Sequence, residues 1–177
     1  MDAPVAETSR LMPRHWLAGL EAGVLGALFM IVWLMLASSL TRRSMWEIPN
    51  LFATTFYGSR VYQEQYLRTS WSGVAAILAI CGLVGMLWGI VWRDDRPAFL
   101  PFLGGLTGLA VYFLVFDLVL QRVNPLVPLY APLRMIQIGC IIWGLTLAKS
   151  PKFSRRIAMA ANPHYSPAEI DSGEVIR

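Results

Sequence analysis

Residues 70–92 read SWSGVAAILAICGLVGMLWGIVW, a run without one Lys, Arg, Asp or Glu. As an α-helix rising 1.5 Å per residue it would extend about 35 Å, more than the roughly 30 Å of hydrocarbon in a bilayer. Lipid offers no hydrogen-bond partner to a bare backbone, so a run of this length predicts a membrane-spanning helix.

Working outward, the charges are segregated along the whole chain. None lies between Glu21 and Arg42, between Arg96 and Asp117, or between Arg134 and Lys149. Of the 177 residues 56% are hydrophobic and 15% are charged, where soluble domains carry about 25% charged residues. The expected fold is therefore an all-α bundle of four transmembrane helices, with spans at about 16–40, 70–92, 98–120 and 133–148. The fourth is short and needs its neighbours to shelter it. A polar tail, 1–15, precedes the bundle (16–149), and a basic, then polar tail, 150–177, follows it. The first apolar run is too long for the h-region of a cleavable signal, so none is expected.

The turn Arg93-Asp94-Asp95-Arg96-Pro97 makes an antiparallel hairpin of spans two and three. The side that holds it and both tails carries Arg10, Arg14, Arg93, Arg96, Lys149, Lys152, Arg155 and Arg156, against Arg42, Arg43, Arg60, Arg68, Arg122 and Arg134 opposite. The positive-inside rule then puts both termini in the cytoplasm. The net charge of +4 sits beside apolar segments, where it meets lipid phosphates rather than nucleic acid.

Gly19, Gly23 and Gly26 form a stripe without side chains on span one; Ala75, Ala79, Gly82 and Gly89 do so on span two, Gly104, Gly105 and Gly108 on span three, and Cys140, Gly144 and Ala148 on span four, with Gln137 above. Such stripes let helices approach closely in lipid. The halves also look alike, Gly23 to Gly26 with Gly105 to Gly108, and Trp88-Gly89 with Trp143-Gly144; small residues and Trp are common enough in membrane helices for chance to produce this.

Ionisable residues inside spans are functional candidates. Glu21 is placed to pair with Arg14 or Arg93, and Asp117 with Arg134 or Arg122. If Glu21 and Asp117 instead faced one water-filled path, they would mark the ends of an ion route. The loop after span one holds Trp46, Pro49, Phe52, Phe56, Tyr57, Tyr62 and Tyr66. Pro49 suits the start of a short helix and Gly58 its end, with Leu51, Phe52, Thr55 and Phe56 on one face and Tyr62 over Tyr66 in a second turn. An amphipathic segment of this kind lies in the interface plane, as a lid or as a docking surface for a partner subunit, a lipid or a quinone-like headgroup.

Span one's small residues, Ile48-Pro49-Asn50-Leu51, Ala53-Thr54-Thr55-Phe56-Tyr57-Gly58 and Thr69-Ser70-Trp71-Ser72-Gly73 give residues 16–92 a likeness: the stretch resembles uncharacterised small multi-pass membrane proteins of bacteria. The resemblance implies a bacterial inner membrane and no mechanism.

Catalytic signals are poor. His15 and His164 are the only histidines and both lie outside the spans; Cys81 and Cys140 lie inside apolar spans without metal-ligand spacing, so neither a disulfide nor a metal site is expected. No phosphate loop, dinucleotide fingerprint or nucleophile elbow occurs. These readings point away from an enzyme and toward a chain without cofactor or metal. A lipid-modifying enzyme using the loop after span one has no acid/base pair placed for it, and two function classes lead. One is a non-catalytic accessory subunit packed against other integral subunits of a respiratory or other electron-transfer complex. The other is a small proton- or cation-coupled transporter using Glu21 and Asp117, for which a homo-oligomer is compatible. Membrane lipids are partners in either case.

Overall fold

The computed structural model describes residues 5–63, 68–91 and 99–161, and every element among them is helical. Helix α1, Val5–Leu40, continues the first apolar span back through the polar tail. Its 36 residues extend about 54 Å, so its first turns reach beyond any bilayer core. It ends in a Schellman turn: the Arg43 amide reaches the Ser38 carbonyl, the Arg42 amide reaches that of Ser39, and Arg42 takes the left-handed φ of +57°.

Helix α2, Glu47–Tyr57, stops where expected, at Gly58 with φ +78°, whose amide caps the Thr54 carbonyl. A 3-10 turn, Ser59–Gln63, follows. Helix α3 is Ser70–Val91. Helix α4, Leu100–Phe113, runs without a break into a π-helical segment, Leu114–Leu120, and a last turn, α5, Gln121–Val123. Short α6, Leu126–Tyr130, leads to α7, Leu133–Leu147, and α8, Ser150–Ala161.

Three stretches are long and apolar enough to cross a membrane: His15–Leu40, Ser70–Val91 and Leu100–Val123. Helix α7 has 15 residues, about 22 Å, and falls short on length.

Backbone contact builds the bundle in two matching halves. In the first, α1 and α3 run antiparallel with Gly19 and Gly23 against Gly85 and Gly89; a methyl group at Gly19 would strike the Gly85 carbonyl and lie 3.0 Å from Gly89 Cα. In the second, α4 and α7 meet with Gly104 and Gly108 against Cys140, Gly144 and Ala148; a methyl at Gly144 would strike the Gly104 carbonyl and lie 3.0 Å from Gly108 Cα. The contacts correspond one to one: Gly23 rests on the Cys81 carbonyl as Gly108 rests on that of Cys140, and Gly85 on that of Gly19 as Gly144 on that of Gly104. The two halves therefore align as Gly19 and Gly23 with Gly104 and Gly108, and as Cys81 and Gly85 with Cys140 and Gly144. This differs from the register suggested by Gly105 and by the two Trp-Gly pairs. Where a Cβ is absent, the Cα–H points at the facing carbonyl, a weak hydrogen bond that recurs at close helix crossings.

The halves are joined along α1 and α7. Trp143 is buried and its indole Nε1–H donates to the Gly23 carbonyl at 3.0 Å. Thr146 Oγ1 donates to the Trp143 carbonyl at 2.6 Å and approaches that of Ala22 at 3.4 Å. Trp33 Nε1–H donates to the Met135 carbonyl at 3.0 Å. Gly26 makes room for Trp143 and Thr146, and Gly139 for Met30 and Trp33. The short helix is thus held by hydrogen bonds that lipid could not supply. Helices α3 and α4, by contrast, make no extended contact.

Candidate functional site: an apolar cleft beneath a polar clamp

The open side between α3 and α4 is an apolar cleft. Its enclosed part has a volume of about 40 Å³. Met30 of α1, Cys140 and Trp143 of α7 form its floor; Ile77, Ile80 and Cys81 of α3 form one wall; Val111, Tyr112, Val115 and Phe116 form the other; Phe52 of α2 closes the top. The aromatic side is rigid. Tyr112 stacks on Phe116 with centroids 5.0 Å apart, and Phe116 meets Phe52 edge to face at 6.3 Å. Val115 and Phe116 belong to the π segment, whose wider turn re-aims side chains and recurs at functional sites.

Above Phe52 lies a buried polar clamp. Asn124 Nδ2 donates to Thr54 Oγ1 at 2.7 Å and to Thr55 Oγ1 at 2.9 Å, while Asn124 Oδ1 accepts the Leu126 amide at 3.2 Å. Thr54 Oγ1 in turn donates a hydrogen bond to the Leu51 carbonyl at 2.6 Å. On the other side of α2, Ser70 Oγ donates to Asn50 Oδ1, both residues being fully buried. A buried amide or hydroxyl must be paired to be tolerated, so these bonds fasten α2 to the first turn of α3 and to the connection after α4. The backbone agrees, since Gly73 of α3 lies directly against the Pro49 carbonyl.

This placement changes the reading of α2. Its buried residues are Ile48 to Thr54, whereas Thr55 is exposed, Phe56 is 63% exposed and Tyr57 55%. The face expected from Leu51, Phe52, Thr55 and Phe56 is split, because the helix is gripped from two sides, by α3 and by Asn124. Pro49 stands third in the helix rather than first. Trp46 meets Trp71 edge to face at 5.8 Å. The side chain of Tyr62, and all of Glu64 and Tyr66, lie outside the described residues.

The glycine expectations divide likewise. Gly19, Gly23, Gly26, Gly82, Gly89, Gly108 and Gly144 all stand at helix contacts, but Gly105 meets only a Leu145 methyl at 3.8 Å. Gly104 takes the close position instead, and Gly85, absent from the expected stripe, is the central contact of α3. Ala75 and Ala79 are exposed. Gly82, Gly85 and Gly89 pack against α1.

Glu21 is exposed on α1, and Arg122 and Arg134 are exposed at the clamp end. Among the described residues the ion pair that forms is Arg43 Nη1 to Glu47 Oε1 at 2.9 Å. Asp117 belongs to the π segment, and its side chain, like those of Arg14 and Arg93, lies outside the described residues. The pairings expected of Glu21 and Asp117 therefore lie outside them too. No group of three His, Cys, Asp or Glu that could hold a metal occurs among the described residues.

The clamp residues Asn50, Thr54, Ser70 and Asn124 carried no signal in the sequence beyond being polar beside apolar runs. Comparison with known proteins adds no further lead: no protein family, curated protein or solved structure matches the chain.

Proposed function

We propose that this chain is a non-catalytic accessory subunit of a larger membrane complex, crossing the bilayer four times. In this reading α7 is the short fourth crossing, sheltered by α1 and α4. The α2 segment sits at the interface as the lid of the bundle, and the Lys/Arg count puts both termini on the cytoplasmic side of a bacterial inner membrane. The observation that carries the reading is where charge is found. The buried polar side chains among the described residues are Ser38, Asn50, Thr54, Ser70, Asn124, Thr146 and Ser150, none of them ionisable. Glu21 lies on the outer surface of a span instead. The ion route considered above would need Glu21 and Asp117 to face one interior path; a carboxylate on the outside of a span suits contact with a cation of a neighbouring subunit instead. The outward place of Glu21 supports docking over that route.

Purification in mild detergent with mass spectrometry of co-eluting chains tests this. Stoichiometric recovery of at least one other integral membrane protein is expected, reduced in a Glu21→Leu variant that keeps its helical circular dichroism. Elution as a lone monomer or homo-oligomer would overturn the reading.

A further inference from the structure

We infer that the cleft between α3 and α4 is a phospholipid site, taking one acyl chain between the helices with the lipid phosphate held between Arg68 and Arg122. This stands apart from the accessory-subunit reading and needs only that α3 and α4 lie in a bilayer.

Shape is the first argument. Glycine contacts draw α1 to α3 and α4 to α7, and α1 joins α7, which leaves the fourth side open by construction. Its walls are hydrocarbon, aromatic and sulfur side chains. Water finds no partners on such walls, and an empty gap forfeits dispersion contacts. At that depth the material at hand is lipid chain. Size agrees: the cleft volume of about 40 Å³ is far below the roughly 150 Å³ of a cavity that holds a benzene ring, and a narrow, open cleft of this size suits a polymethylene segment.

Charge supplies the second argument. Arg68 stands two residues before α3 and Arg122 in the last turn of the α4 run, both exposed and both at the clamp end of the two helices that flank the cleft. Neither makes an ion pair with a described side chain. Ile77 lies seven residues below Ser70, and Val115 seven below Arg122, each about 10 Å down the helix. A headgroup phosphate at the arginines would thus bring the upper part of its chain to the cleft walls. The π segment, an irregular turn at the cleft wall itself, is a third, independent observation.

The test uses the full chain in nanodiscs with phosphatidylglycerol bearing a diazirine in one acyl chain, beside diacylglycerol carrying the same chain. Adducts are expected to concentrate on the peptides holding Ile77, Ile80 and Val115, with phosphatidylglycerol labelling them about tenfold more than diacylglycerol. An Arg68→Gln, Arg122→Gln double variant should bring the two probes level. Ile80 is 39% exposed, so Ile80→Trp should block the mouth without disturbing the core and reduce cleft labelling to the level of exposed Leu28. Leu87→Trp, on the same helix but away from the cleft, should leave labelling unchanged. Labelling spread evenly over lipid-facing leucines, equal labelling by the two probes in the unmodified chain, or cross-links from cleft peptides to a second chain would each overturn the proposal.

Discussion

Asn124 has the most demanding position of any side chain described. Its amide makes two hydrogen bonds to a segment about 70 residues away, at Thr54 and Thr55, and a third, local one to the Leu126 amide, while Asn124 itself is buried. Replacing it by Ala leaves Thr54 and Thr55 without their donor and unties α2 from the end of α4. Each buried group left unpaired costs about 1–3 kcal/mol. Asn124→Ala should therefore lower the thermal midpoint in detergent by several degrees, followed by tryptophan fluorescence through Trp46 and Trp71, and should make the 58–63 turn easier to cleave by protease. Asn124→Asp, which keeps an acceptor but loses the Nδ2 donor, should not rescue it. None of this was legible in the sequence. Asn124-Pro125 reads as a turn, and nothing periodic connects it to Thr54.

At the scale of helices, much was legible. Charge-free intervals located the long spans because a helix in lipid obeys a length requirement that composition alone reveals. Gly58 marked the end of α2 because few other residues accept its φ. The faces were harder to read. Ala75 and Ala79 share a stripe with Gly82 and Gly89, yet the alanines are exposed while the glycines pack against α1. Periodicity shows which residues share a face but not where along it the neighbour changes. A graded prediction follows. Gly85→Val and Gly144→Val occupy equivalent contacts and each drives a side chain into a facing backbone that cannot move aside, so each should cost about 3 kcal/mol or more. Gly105→Ala has only a flexible Leu145 methyl to displace and should shift the midpoint little, beyond a gain of up to about 1 kcal/mol from better helix propensity. Denaturation in mixed micelles, read by circular dichroism, separates the two outcomes.

The molecule as a whole is two glycine-packed hairpins joined along a seam between α1 and α7 and, at the other end, by the Asn124 clamp on α2. That seam, between α1 and α7, holds Trp143 and Trp33 with their indole bonds, and no helix pair other than α1 with α7 or α8 joins the halves near the termini. Cutting the chain between residues 93 and 96 should leave two fragments that reassociate when co-expressed, recovered together through a tag on one. Trp143→Phe removes a hydrogen bond that membrane helix pairs value at about 0.6 kcal/mol and at most about 1.7, and should reduce that recovery without abolishing it. The cleft, like the seam, was beyond sequence reading, because it consists of a contact that two helices do not make. The seam also bears on biogenesis. If α7 is the fourth crossing proposed above, then by the time the ribosome releases its 15 residues α1 would already be in the bilayer, with the Gly23 carbonyl and the hollow at Gly26 displayed. A segment too short to partition on its own hydrophobicity would then enter against a protein surface rather than into bare lipid, which would make the insertion of the last helix conditional on the first.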